Sequence, residues 1–178
     1  MPPNFKIISY PDPRLKKMSA PVAHFDDSLR ELAAGMFVLM RAAAGVGLAA
    51  PQVAKSIRLF ITNTTGKPED DRVYINPILT EAEGDEEGEE GCLSIAELRV
   101  KVVRAKRLRI EALDLEGQKI DKTAEGFEAR VWQHEADHLN GILLIDRMGP
   151  VAKIANRALL KELEEKYRRE KEGKQRIL

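Results

Sequence analysis

Two histidines, His134 and His138, are four positions apart in the sequence, and a glutamate, Glu135, directly follows the first. On an α-helix this spacing puts both imidazoles on one face, one turn apart, where both can bind a single metal ion. The Glu135 carboxylate would then lie where it can hold and deprotonate a water activated by that ion. The pattern predicts a metal-dependent hydrolase, although on its own it also fits an ordinary helix that carries two histidines.

A catalytic metal site usually has three protein ligands, so one more must come from elsewhere in the chain. The sequence holds one further histidine, His24, and a single cysteine, Cys92. His24 lies in a region of turns near the N-terminus, where a surface or capping role is expected. We therefore predict that Cys92 binds the metal as a thiolate, the alternative being a buried, unreactive cysteine.

Hydrolysis of an amide also needs a proton carrier and donors for the oxyanion of the tetrahedral intermediate. Glu135 can take a proton from water and return it to the leaving amine. The backbone N–H of Leu93 and the side-chain amide of Gln52 are donors of the right type. Gln52 ends a segment of glycines and small apolar residues, 45–52, which we expect to be tightly buried. Together these residues predict metal-assisted hydrolysis of an amide.

The composition is that of one globular domain, which we take as residues 1–178. Of the 178 residues, 43% are hydrophobic and 33% are charged, and 29 basic side chains balance 29 acidic ones. This balance argues against a broad nucleic-acid surface and against specific DNA binding. A lone cysteine excludes an internal disulfide and favours a reducing compartment. We find no targeting segment and no apolar run of membrane-spanning length, so we expect a cytoplasmic protein; a trimmed organellar form would have the same features.

Helical patterns occur near both ends of the chain. A first helix should begin near Asp26, with Ser28 and Glu31 as a capping box, and end by Gly45. Its buried stripe is predicted to be Leu29, Leu32, Met36, Leu39 and Ala43. A last helix should extend from Pro150 to about residue 172, followed by a fraying tail. Its inward residues are predicted to be Ile154, Ala158, Leu163 and Tyr167.

Between these helices the period of the sequence changes to that of β-strands. Strands are predicted at residues 58–62, 72–75, 98–102, 108–112 and 119–123. The alternation of apolar and charged residues in 98–102 and in 108–112 is typical of two half-buried antiparallel strands. Residues 114–118 predict a hairpin turn. The run 83–90 contains six acidic residues and two glycines, and we expect a solvated loop there.

The helix that carries the two histidines is predicted from about Gly126 to Leu139, because Asn140 and Gly141 form a good stop signal. Its inner stripe is predicted to be Phe127, Val131, His134 and His138. The whole pattern favours an α+β fold, in which antiparallel β-sheets surround a central metal-binding helix and a further helix lies near each end.

Three sequence blocks together resemble the signature motifs of the peptide deformylase family. They are 45–52 (GVGLAAPQ), 90–94 (EGCLS) and 133–138 (QHEADH), in the family's order and at its usual spacing. The resemblance extends from about residue 7 to residue 147, with no departure at a position that carries chemistry. It implies removal of the N-formyl group from formyl-methionine on nascent polypeptides, with release of formate.

By position, the resemblance implies a role for each residue of these blocks. The implied metal ligands are Cys92, His134 and His138, and the implied catalytic residues are Glu135, Gln52 and Leu93. The implied substrate-binding residues are Val46, Gly47, Glu90 and Val131. Gly47 would pair with the substrate backbone, while Val46 and Val131 would line the methionine pocket. A second interpretation of Glu90 and Ser94 is that they hold the Cys92 strand in place, and Asp137 is expected to bond a group that flanks its helix.

The resemblance further implies one divalent metal ion, natively Fe(II), with zinc, nickel or cobalt often found instead. Fe(II) lies below nickel, copper and zinc in the usual affinity order, so purification can exchange it. The implied partners are N-formylmethionyl nascent polypeptides. Contact with the ribosome near its exit tunnel is an expectation that follows from such a substrate, and no membrane partner is expected.

Two other functions are compatible with parts of the sequence. A metallopeptidase with the H-E-x-x-H motif would use a downstream glutamate as its third ligand, with Glu162 on the last helix as the candidate. That function would leave Cys92 idle and the other two blocks unexplained. A purely structural metal site would usually have a fourth protein ligand, and Glu135 would then have no purpose as a base.

Overall fold

The computed structural model describes residues 5–175, and in them one five-stranded antiparallel sheet has its strands in sequence order. The strands are β1 (Gly47–Ala49), β2 (Leu59–Thr62), β3 (Arg72–Cys92), β4 (Ile95–Leu113) and β5 (Lys119–Glu125). The helices are α1 (Asp27–Ala42), α2 (Gly126–Leu139), α3 (Leu144–Arg147), α4 (Pro150–Ala155) and α5 (Arg157–Gln175). The predicted α+β class is confirmed, as are the strands at 58–62, 72–75 and 119–123 and the turn at 114–118.

The acidic run 83–90 is part of a strand, so the prediction of a solvated loop is wrong. It forms the second half of β3 and pairs with β4 in the register Glu83↔Arg107, Glu86↔Arg104 and Glu89↔Lys101. Ion pairs join the two strands, with Glu83–Arg107 at 3.1 Å and Glu87–Lys101 at 3.3 Å. The run becomes a strand because basic residues later in the chain lie opposite it, which its own composition does not reveal.

The segments 98–102 and 108–112 belong to one strand, β4, and not to the two strands that we predicted. Alternate positions along it are buried except at Lys106, and the buried ones are Leu98, Val100, Val102, Arg104, Leu108, Ile110 and Ala112. Arg104 breaks the apolar pattern yet occupies a buried position, because two carboxylates, Glu90 and Asp137, neutralise it there. The β3–β4 hairpin is therefore continuous, and Cys92 lies beside the turn that closes it.

The helix α2 has its predicted bounds and packs against all five strands of the sheet. Its Trp132 ring lies 5.5 Å from that of Tyr74, which in turn lies 4.9 Å from Phe60. The predicted inner stripe is wrong at Phe127, whose side chain is 57% exposed. Phe127 lies in the first turn of α2, before Ala129, the first buried residue of the helix.

The helix α1 buries its predicted stripe at Leu29, Leu32 and Met36, together with Phe37 and Met40. Leu39 is half-buried and Ala43 is exposed, so the stripe prediction fails at its end, because α1 stops at Ala42. Leu48, Ala49 and Ala50 are 0% exposed, which confirms the tightly buried segment.

The C-terminal region contains two helices, α4 and α5, where one was predicted. Asn156 ends α4. Contrary to prediction, Ile154 is 76% exposed and Ala158 is exposed, whereas Leu163 and Tyr167 are half-buried. The partly buried positions before them are Ala152, Asn156, Leu159 and Leu160, so the inward face is offset from the predicted one. Leu159, Leu160 and Leu163 pack on the core beneath β4. None of the helices in residues 5–175 combines the length and apolarity needed to cross a membrane.

The first helix begins where predicted, but its capping residue is Asp26 and not Ser28. The Asp26 carboxylate accepts a hydrogen bond from the N–H of Leu29 at 3.0 Å. Ser28 instead donates its hydroxyl to Asp26 at 2.6 Å. Asp26 has the extended backbone, φ −113° and ψ 179°, that an N-cap residue adopts.

We expect Asp26→Ala to lower the free energy of unfolding by about 1 kcal/mol, because the first turn of α1 loses its side-chain acceptor. Ser28→Ala is the matched control and should lower it by less than about 0.5 kcal/mol. Denaturant unfolding followed by circular dichroism measures both values. A larger effect at Ser28 than at Asp26 would contradict this assignment of the cap.

Candidate active site

The strand β3 and the helix α2 bring together the three ligands predicted from the sequence. Ligand atoms of Cys92, His134 and His138 all lie within 4.8 Å of one another. Cys92 Sγ is 3.3 Å from His138 Nε2, and the two imidazole centroids are 5.1 Å apart. Cys92 ends β3, whereas the histidines occupy consecutive turns of α2. A cation bound here would therefore join the sheet to the helix.

This set of donors fits a transition-metal cation. A thiolate with two imidazoles favours iron, cobalt, nickel or zinc over calcium or magnesium. Within the described part of the chain the group consists of these three side chains and no fourth. Three protein ligands are the number found in catalytic sites, which keep a further position for water or substrate.

The two imidazoles favour the ionised form of the Cys92 thiol. Burial raises the Cys92 pKa, but the adjacent His138 and His134 outweigh burial and hold the pKa well below its usual value. For His134, burial acts to lower the pKa, but hydrogen bonds to Cys92 and Glu90 outweigh burial and raise the pKa well above its usual value. Because the thiolate is the form that binds metals, the site is prepared for a cation.

Glu135 is a buried carboxylate in the same site. Burial raises its pKa from 4.5 to about 7. Its Oε2 atom is buried and has no hydrogen-bond partner among the described residues. A carboxylate with a pKa near neutrality and a free oxygen can accept a proton from water and release it again.

Glu90, two residues before Cys92, orients His134. The Glu90 Oε2 atom lies 2.9 Å from His134 Nδ1, and Oε1 accepts hydrogen bonds from Arg104 Nε and Arg130 Nη1, both at 2.9 Å. Burial would raise the Glu90 pKa, but the hydrogen bonds from His134 and Arg104 lower it to about 2. When His134 donates Nδ1–H to this carboxylate, its Nε2 is left to bind a cation.

Asp137, three residues after His134 on α2, extends this group of charges. Its carboxylate accepts a hydrogen bond from Arg104 Nη1 at 2.6 Å and from Arg147 Nε at 2.9 Å. Arg147 ends α3, the short helix that follows α2, so Asp137 bonds a group beyond the end of its own helix, as expected. Sequence reasoning missed Arg104 and Arg130. Arg104 occupies an alternate position of β4, and the positions before it on the same face are apolar, a pattern that could have indicated that it is buried. Arg130 lies one turn before His134 on the same face of α2, which could have indicated its place in the site.

A short 3₁₀ turn, Ala50–Val53, holds the side chain of Gln52 in the site. Gln52 Oε1 accepts a hydrogen bond from the N–H of Ala49 at 2.8 Å. This bond orients the amide so that Nε2 lies 3.6 Å from Cys92 Sγ and donates to Ser94 Oγ at 3.2 Å. The N–H₂ group of Gln52 is thus held beside the thiol of Cys92.

A cavity of about 310 Å³ is formed around these groups. Its walls include the predicted catalytic residues Glu135, Gln52 and Leu93 and the predicted substrate-binding residues Val46, Gly47, Glu90 and Val131. Cys92 and His134 also line it, and His138 lies behind Cys92. Glu162, the ligand required by the metallopeptidase alternative, is exposed on α5 and is absent from the group of three ligands.

Comparison with known proteins gives one consistent result. The sequence model of the polypeptide deformylase family matches residues 4–153. The chain is 42% identical over 166 residues to a peptide deformylase of Acinetobacter baumannii, covering 93% of this chain and 94% of the relative. It is 39% identical over 160 residues to a peptide deformylase of Thermotoga maritima, covering 89% of this chain and 96% of the relative.

Solved structures agree with the sequence matches. A peptide deformylase from Plasmodium falciparum superposes with a TM-score of 0.89 at 40% identity, covering 92% of this chain and 97% of that one. Peptide deformylase 1B from Arabidopsis thaliana also superposes with a TM-score of 0.89, at 34% identity, covering 93% of both chains. The resemblance stated from the three sequence blocks is confirmed.

Gly47 lies directly against Glu135. A Cβ atom added at Gly47 would be 2.5 Å from Glu135 Oε1 and 2.9 Å from its Cδ, closer than side-chain contacts allow. The absence of a side chain at position 47 therefore leaves the space that the carboxylate occupies.

We expect Gly47→Ala to displace the Glu135 carboxylate and to reduce hydrolytic turnover by roughly 10²-fold, since small misplacements of a reacting group have effects of that size. Metal content should stay the same. Gly149→Ala, at a glycine with nothing within 4 Å of the added Cβ, is the matched control and should keep full turnover. Full activity in Gly47→Ala would show that the position of Glu135 is not required.

Proposed function

The chain belongs to the polypeptide deformylase family, and from this membership we propose which of its residues carry out the reaction. It is a metal-dependent hydrolase that removes the N-formyl group from N-formylmethionine at the N-terminus of newly synthesised polypeptides, with release of formate. The observation that carries the assignment of roles is the meeting of one thiol and two imidazoles beside the buried Glu135. We take residues 1–178 as one catalytic domain.

In the proposed mechanism Cys92, His134 and His138 hold a divalent cation, which would supply the Lewis acidity that activates water at neutral pH. Glu135 accepts a proton from the attacking water and delivers it to the amide nitrogen as the C–N bond breaks. One water is consumed, and formate and a free amine are produced. The pKa of Glu135, raised to about 7 by burial, supports both directions of this proton transfer.

The oxyanion that develops on the formyl oxygen needs donors that are already in place. We propose that the Gln52 side-chain amide and the backbone N–H of Leu93 supply them. The hydrogen bond from Ala49 to Gln52 Oε1 supports this role, because it fixes the direction of the amide before substrate arrives.

We propose that the methionine side chain enters the cavity beside Val46 and Val131 and that the backbone at Gly47 pairs with the substrate. For Glu90 we propose contact with His134 in place of the substrate contact expected from the sequence, because both of its oxygens already accept hydrogen bonds within the protein. Its task is then to fix the tautomer of a ligand histidine.

We propose Fe(II) as the native ion, with zinc, nickel or cobalt able to replace it at the same donors. We also propose that the enzyme is of bacterial type and acts in the cytoplasm. We place its action near the exit tunnel of the ribosome, because its substrates are chains still being made. The support for this location is the nature of the substrate.

Metal analysis of anaerobically purified protein should give about one iron per chain, as expected for a catalytic site with three protein ligands. Cys92→Ala should retain metal much more weakly, because the thiolate is the strongest of the three donors for such ions. His24→Ala, at an exposed histidine outside the site, should keep the metal content of the original protein. Unchanged metal content in Cys92→Ala would rule out the thiolate as a ligand.

Formate release from a formyl-methionyl peptide tests the mechanism. We expect Glu135→Ala to keep its metal and to lose about 10²–10⁴-fold in kcat, the usual contribution of a general acid and base. Glu128→Ala removes an exposed carboxylate of the same helix and should keep full activity. Cleavage of an unmodified internal peptide without any formate release would instead support a metallopeptidase.

A further inference from the structure

Arg130 is a buried guanidinium that the mechanism above does not use. It lies on α2 one turn before His134 and is only 7% exposed. Its Nη1 donates to Glu90 Oε1 and to the carbonyl of Val102, both at 2.9 Å, and its Nη2 donates to the carbonyl of Glu86 at 2.6 Å. One side chain of the metal-binding helix thus holds both strands of the β3–β4 hairpin.

Gly88 forms the surface against which this guanidinium lies. A Cβ atom added at Gly88 would be 2.8 Å from Arg130 Cζ, 2.9 Å from Nη2 and 3.0 Å from Nε. The backbone of Gly88 is not in the left-handed region, so alanine is compatible with its conformation. The guanidinium of Arg130 is therefore the obstacle to a side chain at this position.

The carboxylate of Glu90 connects Arg130 to the metal ligand His134. Arg130 and Arg104 both donate to Glu90 Oε1, which leaves Oε2 facing His134 Nδ1 and Arg104 Nη2. Rotation of the carboxylate away from His134 would break the bonds to both arginines. Arg104 lies on β4, whereas Arg130 lies on the same helix as His134 and so fixes the distance between α2 and the strand that carries Cys92.

We propose that Arg130, seated on Gly88, is a positioning residue for the metal site: it holds Glu90 against His134 and sets the spacing between the histidine helix and the Cys92 strand. This proposal rests on the proposed metal ligands. It assigns to Gly88 the task of leaving room for the guanidinium. Changes at either residue should therefore alter the geometry and the retention of the metal, even though neither residue touches it.

The test uses the Co(II)-substituted protein, because the visible absorption bands of cobalt report the geometry of its ligands. Gly88→Ala and Arg130→Met should each shift these bands and speed the release of cobalt to a chelator by about 10–100-fold, the range measured for residues that orient a ligand. The double variant should release cobalt no faster than Arg130→Met alone, because the added methyl group then meets no guanidinium. Arg130→Lys keeps the positive charge but lacks the planar guanidinium group, so it should also shift the cobalt bands.

Arg109→Met is the control for the loss of an arginine from this hairpin. Arg109 pairs with Glu81 and Asp121 on the surface, and its removal should leave the cobalt bands and the rate of release unchanged. Thermal unfolding of the metal-free variants separates stability from metal geometry. If Arg130→Met does not fold, Gly88→Ala and Arg130→Lys provide the same readouts.

The proposal is overturned if Gly88→Ala and Arg130→Met have additive effects on cobalt release. It is also overturned if the variants lower only the unfolding temperature and leave the bands and the release rate unchanged. Its failure is distinct from failure of the proposed function, because absence of formate release by the unaltered enzyme would be seen without any of these variants.

Discussion

One buried carboxylate, that of Glu90, connects the three elements from which the site is built. It accepts hydrogen bonds from His134 and Arg130 on α2 and from Arg104 on β4, and it lies two residues before Cys92 on β3. Removal of one partner from a buried ionic group typically costs about 3–5 kcal/mol, because the remaining charge is left unpaired in a dry interior. The Glu90 carboxylate pairs with two guanidiniums, one of which, Arg104, also pairs with Asp137, and the same carboxylate orients a ligand imidazole. Stability and metal geometry therefore depend on one interaction.

The β3–β4 hairpin brings Glu90 and Cys92 to the helix α2. The exposed ion pairs between its acidic strand β3 and its basic strand β4 contribute little to the free energy of unfolding. Exposed ion pairs such as Glu83–Arg107 contribute less than about 1 kcal/mol each. These ion pairs instead favour one register of the two strands, since a shift by one residue would move every side chain to the opposite face of the strand. The stability of the hairpin comes from its apolar alternate residues, Leu98, Val100 and Val102, which pack with Leu144 and Met148.

The groups to which we assign catalysis and metal binding are held in states that folding alone would not favour. Glu135 is buried with an oxygen that has no hydrogen-bond partner among residues 5–175, and the two imidazoles lower the pKa of the Cys92 thiol in spite of burial. Functional sites are the places where proteins retain such conflicts with ordinary packing rules. The surrounding contacts make this possible: Gly47 leaves space for the carboxylate, and Gln52 is fixed by the backbone of the buried segment before it.

The sequence by itself determined the metal helix, its two histidines, the third ligand Cys92 and the nearby Glu135, and three short blocks identified the family. The helix, its histidines and Glu135 are local features, because the spacing of residues along a helix fixes the direction of their side chains. Cys92 is distant in the chain and was identified because the sequence holds a single cysteine, which lies in one of the three blocks. Only the tertiary structure decided that the acidic run is a strand, that Asp26 caps α1, and that Arg104 and Arg130 are buried around Glu90. The state of a charged residue depends on partners that are distant in the chain, since it is buried only where an opposite charge compensates for the loss of water. Local spacing holds no information about those partners.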